Sequence, residues 1–224
     1  MNGFATILVK DLRLEARGGD STITLAAMSL LILVVIVFAL DPVGGARDAA
    51  TAAGALWVAL IFSGMIGATR ALVAERRNGC TAALLLSPVD RATIYCAKLA
   101  AAVIFMAVAE IATVIVMVLF FNLDFDFRLA RLATIVAAGA LGFAALATLL
   151  TAIADRVRGG DLLLPLLAVP LFVPALIAGV RASTAALAGA PFMAFMQWLK
   201  ILGAFDLLFL GAGYLLFEHV IGED

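Results

Sequence analysis

Long apolar stretches alternate along the chain with short polar breaks rich in Asp, Gly and Pro. Crossing the hydrocarbon core of a bilayer takes about 20 mostly apolar residues in a helix. A helix is expected because a backbone in lipid has to satisfy its own hydrogen bonds. The pattern therefore predicts one all-α membrane domain over residues 1–224 with six spans, at about 22–40, 54–73, 99–121, 129–154, 162–180 and 201–220.

The basic residues are distributed unevenly between the polar breaks. Of the fifteen Lys and Arg residues, ten fall at the N-terminus, around residues 70–98 and in the break at 155–161. The other five fall on the opposite side of the predicted bundle. Lys and Arg favour the cytoplasmic side of a membrane, so both termini are expected in the cytoplasm.

The residues before the first span have the pattern of an amphipathic helix. Lys10, Arg13 and Arg17 share one face of such a helix, and most of the other face is apolar. Helices of this kind lie in the membrane interface. We therefore expect a short N-terminal helix on the cytoplasmic surface.

Unusual residues mark the last two spans. Pro165, Pro170 and Pro174 crowd the fifth span, and each removes a backbone donor and bends a helix. They are expected to shape this helix, as a fixed kink or as a moving hinge. Aromatic residues at helical spacing in 191–198 are typical of an interfacial anchor, which predicts a separate interfacial or re-entrant helix before the sixth span.

Composition narrows the class of protein. Hydrophobic residues make up 65% of the chain and charged residues 14%, against about 25% charged residues in soluble domains. A soluble domain is thereby excluded, and so is a disordered chain, which would combine low hydrophobicity with a high net charge. The net charge of −1 gives no indication of nucleic-acid binding.

The chain lacks the motifs of an enzyme or a metal centre. It has no GxxxxGK[ST], HExxH or GxSxG sequence and no CxxCH. His219 is the only histidine, Cys80 and Cys96 form no CxxC motif, and Met193 and Met196 are expected to pack rather than to ligate iron. We therefore expect no enzymatic activity in this chain, no metal site and no tightly bound cofactor.

Glu110, Arg131 and Asp206 are charged residues inside predicted spans. Glu110 lies at the midpoint of the third span, where a charge costs about 2.5–3.5 kcal/mol on insertion scales. It is expected to face the bundle interior or a cavity, as a polar contact in a substrate path or subunit interface, or as one interhelical hydrogen bond. Arg131 and Asp206 lie nearer span ends, so their polar groups are expected to reach the membrane surface.

The polar stretch between the second and third spans carries the first resemblance. Glu75, Arg76 and Arg77 follow the second span, then Gly79, a short leucine-rich segment and Ser87-Pro88. This arrangement resembles the coupling helix of ABC-2-type permeases, which docks on a separate nucleotide-binding subunit. The resemblance implies coupling to an ATPase by Glu75, Arg76, Arg77, Gly79, Leu84 and Leu85.

A second motif narrows the resemblance to one family. The break after the fourth span runs Arg156-Val-Arg158-Gly159-Gly160-Asp161 into the sequence that contains Pro165, Pro170 and Pro174. Together with the chain length and the N-terminal sequence, it resembles the heme exporter protein B family (CcmB) of cytochrome c maturation. Arg156, Arg158, Gly159 and Gly160 are expected to form a second cytoplasmic contact.

The resemblance implies a set of partners in a bacterial inner membrane. These are an ABC ATPase (CcmA-like) that uses the ATP, a heme-presenting membrane protein (CcmC-like), a small tethering subunit (CcmD-like) and a heme chaperone (CcmE-like). Heme is then a candidate substrate, and ATP hydrolysis drives its export or the release of the loaded chaperone on the periplasmic side. Two alternatives stay open: an ABC-2 exporter of a drug, lipid or polysaccharide, and a structural subunit that transports nothing.

Overall fold

The computed structural model describes residues 3–17, 20–40, 48–77, 88–121, 126–157, 160 and 162–222. The regular structure in these ranges is helical: α1 (Gly3–Arg17), α2 (Asp20–Leu40), α3 (Ala49–Arg77), α4 (Arg91–Phe121), α5 (Phe127–Arg156), α6 (Leu163–Leu187) and α7 (Phe192–Gly222). Five helices are long and apolar enough to cross a membrane, over Ala49–Val73, Arg91–Phe121, Phe127–Asp155, Leu164–Leu187 and Phe192–Phe217. The predicted all-α membrane class is confirmed.

Helix α2 coincides with the first predicted span, but it is not among the five helices that are long and apolar enough to cross a membrane. Its apolar stretch within the described side chains is Ala27–Ile36, which is too short by itself to cross a bilayer. Six spans therefore stay a prediction.

Aspartates cap the start of two helices. The Thr51 backbone N–H donates to Asp48 Oδ1 at 2.9 Å, and the Arg128 backbone N–H donates to Asp126 Oδ1 at 2.8 Å. The first N–H groups of a helix have no partner within the helix, and a carboxylate at the cap satisfies one of them. Hydrogen bonding to Thr51 lowers the pKa of Asp48 below its ordinary value, because it favours the charged carboxylate.

A glycine ends α6. Gly189 has a φ of 69°, in the left-handed region that other residues rarely adopt. The Ala190 N–H donates to the Ala185 carbonyl at 2.9 Å, and the Gly189 N–H donates to the Ala186 carbonyl at 3.2 Å. This pair of bonds is a Schellman motif, which turns the chain sharply after a helix. The turn brings α7 back beside α6 within a few residues.

The three prolines of α6 are not equivalent. Pro170 and Pro174 lie inside the helix and are exposed on its outer side, whereas Phe172 between them is buried. Pro165 lies in the first turn, because the helix begins at Leu163. An N–H at that position has no helical acceptor to lose. Pro165 therefore removes no helical hydrogen bond, and the shaping of α6 by the three prolines, as a kink or a hinge, stays a prediction.

Helix α7 is longer than the sequence pattern predicts. The aromatic segment at 191–198 does not form a separate interfacial or re-entrant helix, since α7 is continuous from Phe192 to Gly222. Gln197 and Lys200 lower the local hydropathy just before the predicted start of the sixth span at residue 201. Polar side chains of this kind do not interrupt helical backbone hydrogen bonding, so the helix passes through them.

Trp57 of α3 lies at the centre of the main core. Its side chain is 1% exposed, and its indole N–H donates to the Ser183 hydroxyl of α6 at 3.0 Å. The ring lies directly against Gly139 of α5 and Gly179 of α6, where an added Cβ would collide with it. Both helices can approach the ring this closely only because glycine has no side chain.

Phe172 of α6 continues this core toward α5 and α7. Its ring packs edge-on against Phe143 of α5, at 5.2 Å between centroids, and against Phe205 of α7, at 5.5 Å. Edge-to-face packing is favourable for aromatic pairs. These rings and Trp57 join α3, α5, α6 and α7 into one packed unit.

We expect Trp57→Phe to lower the free energy of unfolding by about 1–3 kcal/mol, because it removes a buried hydrogen bond and leaves a void between two glycines. Ser183 would lose the indole donor. The measurement is thermal unfolding of the purified protein in detergent. Trp198→Phe is the matched control, since Trp198 is only partly buried at the edge of the same core. Equal stability of the two variants would contradict this account of the core.

Candidate functional site

Glu110 points into the interior of the bundle. Its side chain is 7% exposed, halfway along α4. Thr113, and not Glu110, makes the interhelical hydrogen bond in this part of the bundle. Its hydroxyl lies 2.9 Å from Ser29 Oγ of α2 and 2.8 Å from the Ala109 carbonyl oxygen of α4. No hydrogen bond from another described residue acts on the Glu110 carboxyl. The simple interhelical bond weighed for Glu110 is therefore not seen within the described part of the chain.

A cavity of about 140 Å³ lies beside Glu110, between α1, α3, α4 and α5. Glu110 is at one end of the α4 wall, and Lys98 and Asp11 also line the space. Ser63 of α3 and Thr148 of α5 contribute hydroxyls, and most other lining atoms are apolar. The Glu110 carboxyl, in the middle of the bundle, therefore borders an internal cavity.

Asp206 is the second buried carboxyl among the residues that the structure describes, and its environment is different. It is 6% exposed, its Oδ1 has no hydrogen-bond partner among the described residues, and that oxygen lies against Gly142 of α5. It does not line the cavity beside Glu110. The expectation that Asp206 reaches the membrane surface is wrong, because its face of α7 packs on α5 rather than on lipid.

One end of the bundle is formed by parts of the chain that are distant in sequence. Ile7 of α1, Ile94 and Tyr95 of α4 and Phe217 of α7 form one buried cluster, which we call the α4 joint. The Tyr95 and Phe217 rings lie 5.3 Å apart between centroids. The joint begins only a few residues after the polar segment predicted to couple to an ATPase.

The residues predicted for ATPase coupling fall at the edge of the described structure. Helix α3 ends at Arg77, and α4 begins at Arg91. The side chains of Glu75, Arg76 and Arg77 lie outside the described residues, as do Gly79, Leu84 and Leu85 entirely. Their predicted role is not tested by the structure.

The opposite end of the bundle is held by two arginines of α5. Arg128 donates to the Leu187 carbonyl at 3.4 Å, and Arg131 donates to the Ala190 carbonyl at 3.1 Å. The Arg131 guanidinium also lies 4.8 Å from the centre of the Phe127 ring. Carbonyls at the C-terminal end of a helix carry partial negative charge, so both cations stabilise the turn between α6 and α7.

The family model described as "CcmB protein" matches residues 2–215. The chain belongs to the CcmB family. Heme exporter protein B of Paracoccus denitrificans (strain Pd 1222) is 30% identical over 191 residues, which is 82% of this chain and 84% of that protein.

The sequence that pointed to the CcmB family lies at the same end of the bundle as the α4 joint. Ala152, near the C-terminal end of α5, packs against the joint. Gly160 is buried in the turn that follows, where its N–H donates to the Val157 carbonyl at 3.1 Å. The Arg156 side chain, Arg158 and Gly159 lie outside the described residues. Their predicted contact with a partner is not tested.

Several residues of the cavity in this CcmB-family chain were missed by sequence analysis. Lys98 and Ser63 line it with a set of small residues from α3, α4 and α5. On α4 the signal is the spacing of Lys98, Ala101, Ala102, Phe105 and Ala109, which places them on one helical face, with Glu110 at its edge. Alanine is so frequent in the chain that this spacing does not stand out from chance.

Proposed function

We propose that this chain is the permease subunit of an ABC transporter that exports heme for cytochrome c maturation. Membership of the CcmB family and the similarity to a protein named heme exporter protein B support the proposal. The sequence contains no P-loop, so ATP is hydrolysed by a separate CcmA-like subunit.

The observation that carries ATPase coupling is the α4 joint. The segment 75–87 connects α3 to α4 and ends just before the joint, where Ile94 and Tyr95 contact α1 and α7. Charged side chains such as Glu75, Arg76 and Arg77 orient the segment on the ATPase, and Leu84 and Leu85 fill its groove. Motion of the ATPase then reaches three helices through a single cluster of packed side chains.

The joint also fits the proposed orientation in the membrane. The coupling segment, α1 and the end of α7 belong to one end of the bundle, which we place in the cytoplasm of a bacterium, with both termini. The α6–α7 turn then faces the periplasm, where CcmC-like, CcmD-like and CcmE-like partners would present, tether and receive heme. Six spans, with α2 as the first, complete this arrangement.

The proposal is tested by staining membranes for covalently bound heme in a bacterial strain that lacks this chain. We expect all c-type cytochromes to disappear and to return when the wild-type chain is supplied. Chain abundance in the membrane is followed by immunoblotting. Normal cytochromes in the deletion strain would sink the proposal and would favour an exporter of another substrate.

A further inference from the structure

The cavity beside Glu110 follows one face of α4. Lys98, Phe105 and Glu110 line it, and the twelve residues from Lys98 to Glu110 correspond to roughly 18 Å along a helix. The space therefore extends from near one end of the bundle to about the middle of α4. A molecule that enters near Lys98 could reach the Glu110 carboxyl without crossing the whole membrane.

Small residues form part of the walls of this space. Gly64 and Gly67 of α3 line it, opposite Ala101 and Ala102 of α4. A Cβ on Gly64 would lie 2.8 Å from Cε1 of Phe143 and 3.1 Å from Cε of Met106. Because Gly64 has no side chain, Phe143 and Met106, which also line the cavity, can pack directly against it.

The size and the walls indicate a small, mostly apolar occupant. The cavity measures about 140 Å³, and an engineered apolar cavity of about 150 Å³ holds benzene. The apolar part of a ligand can therefore be about one ring in size. A phospholipid is less suitable, because its headgroup would have to leave the surface and reach the middle of α4.

Glu110 determines which polar group a ligand of this cavity has to carry. The residue is more than nine-tenths buried and lines the cavity, and no hydrogen bond to its carboxyl is seen among the described residues. A buried carboxyl is costly unless it is hydrogen-bonded or paired with a cation. Lys98 and Asp11 line the far end of the cavity, and Asp11 is already paired there with Lys10, at 2.7 Å between Nζ and Oδ1.

We propose that this cavity binds a small free amine with a ring-sized apolar body, whose nitrogen pairs with the Glu110 carboxyl. A neutral amine enters an apolar space more easily than a cation. The carboxyl proton then moves from the Glu110 oxygen to the amine nitrogen, which gives an ammonium–carboxylate pair with no change in net charge. The proposal does not depend on heme export or on ATPase coupling.

The test uses the purified full chain in detergent and the small reagent N,N′-diisopropylcarbodiimide. A protonated carboxyl adds across one C=N bond of this reagent and rearranges to a stable N-acylurea, which peptide mass spectrometry locates. We expect the reagent to label Glu110 and to spare Asp206, because Asp206 is equally buried but does not line the cavity. Absence of label on Glu110 would overturn the proposal.

The ligand probe is N,N-dimethylbenzylamine, a tertiary amine that cannot form an amide with the activated carboxyl. At ten times its Kd it should lower Glu110 labelling about tenfold by occupying the cavity. Isobutylbenzene, which has the same shape with carbon in place of nitrogen, should protect far less. Equal protection by both compounds would show an apolar cavity without an amine site and would refute the proposal.

A second measurement separates pairing with Glu110 from general binding to the bundle. Thermal unfolding should shift upward with N,N-dimethylbenzylamine for the wild type, because a ligand bound only to the folded state stabilises it. The shift should be lost in Glu110→Gln, which keeps the size of the side chain, and kept in Asp206→Asn. An undiminished shift in Glu110→Gln would rule out pairing at this carboxyl.

Discussion

A chain carrying Glu75→Ala will remain in the membrane but will no longer copurify with its ATPase subunit, and heme staining of c-type cytochromes will fall about tenfold or more. Glu75 lies in the last turn of α3, which ends at Arg77. If its carboxylate pairs with a basic residue of the ATPase, truncation leaves that charge unpaired, at about 2–5 kcal/mol of binding free energy.

Asp48→Ala is the control at the opposite end of the same helix. It removes the hydrogen bond with Thr51 but leaves the predicted docking end intact. Copurification and cytochrome staining should stay close to wild type once both are normalised to the amount of chain in the membrane. A fully active Glu75→Ala chain would show that coupling does not depend on this carboxylate. It would favour Arg76 and Arg77 as the residues that bind the ATPase.

Gly179→Ala will destabilise the bundle by about 1–3 kcal/mol or more, the cost of overpacking a filled core. The added methyl group would collide with the Trp57 ring. That ring has little freedom to move away, since it is hydrogen-bonded to Ser183 and lies against Gly139 on another side. The measurement is thermal unfolding in detergent, together with the yield of folded protein.

Gly211→Ala provides the matched control for this second prediction. Gly211 is also a helical glycine, but an added Cβ there would meet no atom within 4 Å. Its replacement should be neutral or stabilising by up to about 1 kcal/mol, because alanine loses less backbone entropy in a helix than glycine does. If both alanine variants unfold at the same temperature, the Trp57 ring is not confined as the structure indicates.

The positions of most helices could be predicted from the sequence because hydropathy over a span is a sum of many small terms. The predicted span 129–154 lies within α5 (Phe127–Arg156), and single polar residues do not change that outcome. Helix ends were less predictable. The start of α7 at Phe192 was missed because hydropathy reports the preference of side chains for lipid, whereas the backbone determines where a helix begins.

The candidate site was predictable only in part. The cost of a mid-span carboxylate required Glu110 to avoid lipid, and the structure places it inside the bundle. The same cost applies to Asp206, but its position nearer a predicted span end favours an exit to the surface. Which face of α7 packs on α5 depends on contacts such as Phe205 and Asp206 against Gly142, and a single helix pattern does not contain them.

The cavity is a property of four helices packed together, so it could not be derived from any one of them. Its walls depend on how Gly64 of α3 meets Phe143 of α5 and Met106 of α4. Sequence spacing shows which residues share a helical face, but not the distance between neighbouring helices. The coupling role of Glu75, Arg76, Arg77, Gly79, Leu84 and Leu85 stays a prediction.

The α4 joint determines which probes can be attached to α1 or α7 without blocking the proposed ATPase site. Because Ile7 and Phe217 belong to the same buried cluster as Ile94 and Tyr95 of α4, a probe attached to α1 or to the last turns of α7 will sit beside the proposed ATPase site. A bulky fluorescent protein placed there would compete with the ATPase for space. A small spin label on each helix would instead report the arrival of the ATPase as a change in one distance.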